Sequence, residues 1–412
     1  MDEPLVITGM GAVTPIGVGV AVYWDNLVRG VCGVDAVTRF DASGLPVRIA
    51  AEVRHFDPLA HLPRNVVRAT APFMQFALVA AGEAMADSGL DVARDSNRVG
   101  IVMGTAMDGV SSVADTQRAF MGSRSGKVSP YFVPAVMGNM AAAHLAIAHG
   151  IHGPGMTLNT ACSAGGDAMM AAAMLIRGGD ADAVLVIGGE SILCPVIFSS
   201  LAQAKALSRN NENPAAASRP FDLARDGFVI GEGGGALVIE TEAHARARGA
   251  DIKAVFAGYA NTLDGYHITA PHPDGVGAAA CMRLALARAG LAPSRIGYIN
   301  AHGTSTLLGD RAETLAIKDV FGGKGEAPPV SSTKGATGHL MGAGGITEVI
   351  ACIQAIRTGI LPPTLNYMTP DPFCDLDYIP NEARRTRVDT AMSNALGFGG
   401  QNSSIIVSRY QT

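Results

Sequence analysis

The sequence predicts an α/β fold built from two similar halves. Three observations carry this. Helical and strand patterns alternate along the chain, and the alternation restarts near residue 252. Each half also holds a helix entered through very small residues, Ala164-Gly165-Gly166 in the first and Gly342-Ala343-Gly344-Gly345 in the second. Alternating α and β segments predict parallel sheets with helical cover. Helices that are small and apolar all round are buried on every side, so these two are expected to share the centre. No linker-like stretch divides the chain. One compact unit with an internal duplication is expected, its halves 1–252 and 253–412.

The elements follow in order. Residues 5–9 are apolar and read as a first buried strand, leading into a Gly9-Met10-Gly11 turn. Pro15 and Gly17 interrupt any helix after that turn, so a dinucleotide site is rejected. Residues 73–86 carry helical periodicity up to a stop near Gly89. Residues 99–104 read as a strand and 134–149 as a second helix of small residues. Residues 156–160 form a short strand that runs into a helix over 168–176, closed by Gly178-Gly179. Residues 183–189 are apolar throughout, the mark of a strand buried on both faces, and 233–240 is another strand. In the second half, strands are expected at 254–260, 296–301, 330–332, 392–396 and 404–407. Helices are expected at 278–289, 312–321 and 346–356.

Composition narrows the function. The 412 residues are 48% hydrophobic and 16% charged, enough for a large core. The 50 glycines are scattered through apolar segments, which points to closely packed backbones rather than disorder. The net charge is −5 and no basic block occurs, which argues against a nucleic-acid partner. Low charge also fits an oligomer that hides apolar surface. Cys32, Cys162, Cys194, Cys281, Cys352 and Cys374 are dispersed, with no CxxC pair and no Cys/His metal spacing. Disulfides and a metal are therefore not expected, and a reducing cytoplasm is. No basic leader precedes an apolar stretch, and no apolar run reaches the roughly 18 residues of a membrane span.

The chemistry centres on Cys162, at the turn between a strand and a helix. A thiol at a helix start meets unpaired N–H groups and the positive end of the helix dipole. Both favour the thiolate, and the same N–H groups can hold an oxyanion. His302 (in Asn300-Ala301-His302-Gly303-Thr304-Ser305-Thr306) lies just past a strand end, where ligands sit in α/β sheets. Lys334 and His339 follow the strand at 330–332 in the same way. Gly397-Phe398-Gly399-Gly400-Gln401-Asn402 is a loop able to bring backbone N–H groups up to a ligand. Singly, each of these fits a structural role. Together they place one Cys and two His at strand ends.

Over essentially its whole length the chain resembles the elongating β-ketoacyl-acyl-carrier-protein synthases of the thiolase superfamily. The motifs are Thr160-Ala161-Cys162, His302-Gly303-Thr304-Ser305-Thr306, Lys334-x-x-x-Gly338-His339 with Glu348 beyond it, and the Gly-Phe-Gly-Gly-x-Asn loop. Ser218-Arg219-Pro220-Phe221-Asp222 and Arg225-Asp226-Gly227-Phe228 match as well. The resemblance implies a thiolase-like duplicated αβαβα five-layer sandwich. It implies Cys162 as nucleophile, His302 and His339 as donors in malonyl decarboxylation, and Lys334 and Glu348 as their support. The N–H groups of Cys162 and Phe398 become the oxyanion site. Phe398 becomes the gate and Met107 the limit of pocket depth. Thr304, Thr306, Phe228, Gly399 and Asn402 fall among the substrate contacts. Arg64, Arg68 and Lys205 become the docking patch for an acidic acyl carrier protein. No cofactor belongs to the chain itself, because phosphopantetheine arrives on the carrier. The partner in a dimer is a second copy or a homologous chain-length factor.

The sequence departs from the family pattern at several points. Met107-Asp108 stands for Ile-Gly, Gln401 for Thr, and Ala69 for a base in the docking patch. Asp167 is an acid in an apolar helix, placed to meet either a partner subunit or the acyl pocket. These departures keep a type II polyketide or polyene ketosynthase open beside a fatty-acid enzyme. Intact Cys162, His302 and His339 argue against a non-catalytic subunit. The absence of Cys from residues 397–402 argues against a degradative thiolase.

Overall fold

The computed structural model describes residues 3–123 and 125–411. The first half supplies strands β1 (Leu5–Thr14), β2 (Val99–Gly104), β3 (Gly155–Leu158), β4 (Ala183–Glu190) and β5 (Gly233–Thr241). The second supplies β6 (Ala254–Leu263), β7 (Tyr298–Asn300), β8 (Val330–Ser331), β9 (Thr390–Gly397) and β10 (Gln401–Ser408). They run in the order β8-β7-β9-β10-β6-β1-β5-β4-β2-β3, and a short strand Gly17–Val18 pairs with β1. Counted outward from the centre, the order β1-β5-β4-β2-β3 is repeated as β6-β10-β9-β7-β8. The two sets join through only Val6↔Val255 and Ile7↔Ala254.

The sheets are mixed, not parallel as the alternation predicts. The outer pairs β2/β3, β2/β4, β7/β8 and β7/β9 are parallel. The inner pairs β4/β5, β1/β5, β9/β10 and β6/β10 are antiparallel. Helical crossovers impose the parallel pairs, whereas β9 and β10 meet through a tight loop, which forces them antiparallel.

Six helices repeat in the same way: α1 (Pro72–Ser88), α2 (Met140–His149) and α3 (Ala164–Arg177), then α4 (Val276–Ala289), α5 (Leu307–Phe321) and α6 (Gly344–Thr358). Helix α1 covers β1, β4 and β5 from outside, and α4 covers β6 and β10. Helices α3 and α6 touch each other between the sheets. The layers are therefore αβαβα. Every residue of α6 from Gly344 to Ile353 is buried. The small entry residues have a steric cause. A Cβ on Gly165 would lie 2.9 Å from the Gly342 carbonyl oxygen, and one on Gly345 would lie 3.0 Å from the Gly166 nitrogen.

Three local expectations are corrected. Strand β1 does not end at Gly9 but runs to Thr14. Its glycines admit α1 rather than make a turn: a Cβ on Gly9 or Gly11 would lie 2.1 or 1.9 Å from the carbonyl oxygens of Ala84 and Ala80. The helix expected at 134–149 is two, Phe132–Val136 and α2. Helices Val20–Val28, Val110–Gly122 and Pro195–Gln203 were not foreseen. Among the buried residues of the second of these is only Ser111, so it carries no apolar stripe to read.

Candidate active site

Cys162 sits on a 3-10 turn, Ala161–Ser163, between β3 and α3. Ala161 holds φ +52°, a left-handed conformation rare for a residue with a side chain. The loop after β9 presses on this turn. A Cβ on Gly397 would stand 3.1 Å from the Cys162 nitrogen. The larger upward push of burial on the Cys162 thiol is opposed by the nearby Phe398 backbone N–H, which pulls it down.

His302 follows β7. Its own N–H and that of Gly303 both donate to the Glu313 carboxylate of α5, each at 2.8 Å. Burial pushes Glu313 up to about 7. His339 follows the short helix Lys334–Thr337, and its N–H donates to the Val229 carbonyl at 2.8 Å. The two imidazole rings meet edge to face, with centroids 5.2 Å apart. The Cys162 sulfur and a nitrogen of each ring all lie within 4.8 Å of one another. Nδ1 of His302 and both ring nitrogens of His339 are buried without a hydrogen-bond partner. Orphaned buried polar atoms are costly. In a neutral ring one nitrogen donates and the other accepts, and one nitrogen of each ring stands near the thiol.

The charge state follows from burial. Both rings are held well below the ordinary histidine range, first by desolvation and then by the nearby Lys334 ammonium. They are therefore neutral. Lys334 is itself buried and ion-paired to Glu348, whose carboxyl burial pushes up. Lys334 thus acts on the rings by charge. The thiolate expected from the helix start is not the resting form. Desolvation raises Cys162 to about 11 against the lowering pull of the Phe398 N–H and Lys334.

The spacing of one sulfur and two imidazoles would also suit a soft metal ion. The Lys334 charge, close enough to lower both imidazoles, opposes a dication there. The donor set fits acyl transfer better.

Around this centre, Phe228 lies edge-on to His339 with centroids 5.5 Å apart. Phe398 is 38% exposed at the mouth. Gly399, at φ +83°, donates its N–H to the Ile268 carbonyl at 2.8 Å. The Asn402 amide nitrogen is spent on Asp264 at 2.8 Å, on Thr262 and on the Gly400 carbonyl, so Asn402 braces this loop from behind. Thr304 and Thr306 share a hydroxyl contact of 3.1 Å, and Thr306 also caps α5. Arg64 and Arg68 are exposed on the helix Arg64–Ala69, with Arg68 bonded to the Tyr131 hydroxyl at 3.1 Å. Lys205 is exposed on a separate turn after Pro195–Gln203.

Three carboxylates have roles the sequence does not reveal. One is Glu313, which fixes the His302 backbone. Another is Glu190, at the end of β4, which accepts from the N–H groups of Ala106 at 2.6 Å, Met107 at 3.2 Å and Gly342 at 3.2 Å. It thereby fixes Met107, and burial pushes its carboxyl to about 8. Asp108 stands beside it in a left-handed conformation, closed in by Gly138. The third is Asp167, which is buried against Thr160, Ser163 and Asn261. The only legible signal for these acids was their charge inside apolar segments.

Residues 2–245 match the family model "Beta-ketoacyl synthase, N-terminal domain", and residues 253–368 match "Beta-ketoacyl synthase, C-terminal domain". A Coxiella burnetii protein named 3-oxoacyl-[acyl-carrier-protein] synthase 2 is 43% identical over 406 residues, covering 98% of each chain. A solved structure described as the ishigamide ketosynthase/chain length factor superposes with TM-score 0.92 at 32% identity, covering 100% of both chains. A type II polyketide ketosynthase, described as bound to its acyl-carrier protein and a hexaketide, does so with TM-score 0.89 at 35% identity, again over 100% of both chains. By family models that span both halves and by full-length identity above 40%, the chain belongs to the beta-ketoacyl synthases.

Proposed function

We propose that this synthase elongates acyl chains on an acyl carrier protein in the fatty-acid manner. The observation that carries the reading is one buried thiol within 4.8 Å of two neutral imidazoles, with unpartnered nitrogens on each ring. In the first half-reaction the Cys162 sulfur attacks the acyl thioester. The acyl–sulfur bond to the carrier breaks, and the thiol proton ends on the released carrier thiol. The exchange is near balance, so the protein contributes positioning and oxyanion stabilisation. The Phe398 N–H, which already lowers the Cys162 thiol, is one donor to the tetrahedral oxygen, and the Cys162 N–H is the other.

Malonyl-carrier protein then binds. His302 and His339, neutral, donate to its thioester oxygen and stabilise the enolate left as carbon dioxide departs. The enolate carbon attacks the acyl-Cys carbonyl. The Cys162 sulfur leaves, takes up a proton, and the 3-oxoacyl product is two carbons longer. Lys334, paired with Glu348, keeps both rings uncharged. Thr304 and Thr306 face the pantetheine arm, Phe228 and Gly399 line its end, and Met107 closes the acyl pocket. Loss of carbon dioxide drives the reaction, so the chain needs no cofactor of its own.

Arg64, Arg68 and Lys205 would receive the acidic carrier. The dimer face is assigned to β3, an unpaired sheet edge. Met156 on that strand and Ile147 on the adjacent α2 are 37% and 84% exposed. The boundary between halves is placed at 252/253, and the compartment is the cytoplasm, where six unpaired thiols stay reduced. Among the described residues no helix is long and apolar enough to cross a membrane.

A second reading is supported by the ketosynthase/chain length factor likeness and by Met107-Asp108. In it the chain serves a polyketide or polyene pathway beside a homologous subunit. The two readings share all the chemistry above and part on whether the protein alone accepts an acyl group.

Partial reactions test the shared chemistry. Cys162→Gln should abolish condensation while keeping malonyl decarboxylation. His339→Ala should lower decarboxylation by about 100-fold or more while Cys162 is still acylated. Equal loss of both steps in His339→Ala would make that ring structural.

A further inference from the structure

Asp167 is a buried acid beside the nucleophile that the reaction above does not use. It lies in the first turn of α3 with 2% of its surface exposed. Burying a carboxylate is unfavourable unless it is fully hydrogen-bonded, and here three side chains do this. The Thr160 hydroxyl donates to Oδ2 at 2.5 Å, and the Ser163 hydroxyl, whose single hydrogen is shared with the Thr160 carbonyl, lies 2.8 Å from each acceptor. The Asn261 amide donates to Oδ1 at 3.2 Å. Thr160 and Ser163 bracket the turn that carries Cys162, and between them Ala161 holds φ +52°. A conformation of that kind persists only when its surroundings over-determine it. Asn261 lies on β6, in the half that also supplies both histidines. A Cβ on neighbouring Gly166 would stand 2.2 Å from the Ser403 hydroxyl, so α3 has no room to slide there.

We propose that Asp167 is the positioning residue of the nucleophile: it clamps both ends of the Thr160–Ser163 turn and, through Asn261, registers the Cys162 thiol against the half that holds the two histidines. The inference rests on Cys162 being the nucleophile. Asp167 reaches no reacting atom. Its effect is confined to where the sulfur points. Loss of the clamp therefore slows attack by sulfur far more than it slows enolate formation, which depends on His302 and His339.

The test compares two partial reactions in the full chain. Acylation of Cys162 by acyl-carrier protein is timed by intact mass in wild type, Asp167→Ala and Asp167→Asn. Malonyl decarboxylation is timed in Cys162→Gln with and without Asp167→Ala. Misplacing a reacting group by about 1 Å costs on the order of 100-fold. Asp167→Ala should therefore slow acylation by roughly 10- to 100-fold, while decarboxylation changes by much less. Asp167→Asn should recover most of the loss, because a hydroxyl can turn to accept from the amide. If both partial reactions fall by the same factor, or Asn behaves as Ala, Asp167 is merely structural and the proposal is overturned. Should Asp167→Ala fail to fold, Ser163→Ala removes one arm of the clamp. It must show the same selective loss of acylation, at smaller size, or the proposal fails. If Cys162→Gln itself does not decarboxylate, the proposed function fails and not this inference.

Discussion

At the residue scale, burial sets the chemistry more than helix dipoles do. Cys162 opens a helix, yet desolvation raises it to about 11, so the thiol must lose its proton as it attacks. The same desolvation, with Lys334, keeps His302 and His339 uncharged. This gives a pH prediction. Both rings protonate only well below the ordinary histidine value of about 6.5. Decarboxylation should therefore be flat from pH 8 to about 6.5 and fall only on further acidification. Stability moves the same way. The unfolded chain takes up protons on these histidines near 6.5 while the folded chain does not, so stability is lost as pH falls below that value. A decarboxylation rate that already declines between pH 8 and 7 would contradict neutral rings. Cys162, His302 and His339 were legible because each sits in a short motif at a strand end. The duties of Glu190 and of Asp167 toward the second half were not, because Ala106 and Asn261 lie 84 and 94 residues away. Glu313 is nearer its partners, but it holds the backbone N–H groups of His302 and Gly303, which leave no mark in the sequence.

At the element scale, glycine records where backbones touch. Gly11 on β1 lies under α1, where an added Cβ would meet the Ala80 carbonyl oxygen at 1.9 Å. Gly82, on α1 itself, faces open space. Gly11→Ala should destabilise by about 1–3 kcal/mol. Gly82→Ala should stabilise by about 0.5–1 kcal/mol, both read by denaturant unfolding. Equal effects would mean that α1 does not press on β1 as described. Most strands and long helices were legible from periodicity, because α1, β4 and α6 are apolar in the pattern their burial demands. The Gly9-Met10-Gly11 turn misled because glycine serves close approach as readily as it serves turns. Strand direction was hidden as well, since it depends on connections such as the tight loop between β9 and β10.

At the scale of the whole molecule, the duplication explains the site. Each half offers a central helix opened by small residues, and their crossing brings the turn at Cys162 against the turn Met341–Ala343, next to His339. Neither half holds the chemistry alone: the thiol comes from the first and both imidazoles from the second. Asp167–Asn261 and Glu190–Gly342 tie the halves at this seam. The doubled order of elements could be read from the sequence because the pattern restarts. The bonds across the seam could not.

In this reaction Cys162 carries the growing chain. Intact-protein mass spectrometry tests it most directly. Wild type and Cys162→Ala are each incubated with a series of acyl-carrier proteins, and malonyl-carrier protein is then added. An acyl adduct is expected on wild type alone, followed by its loss with release of a 3-oxoacyl product two carbons longer. An adduct that persists in Cys162→Ala would contradict the claim. No adduct on well-folded wild type with any acyl group would contradict the stand-alone fatty-acid reading and favour a ketosynthase that needs its homologous partner.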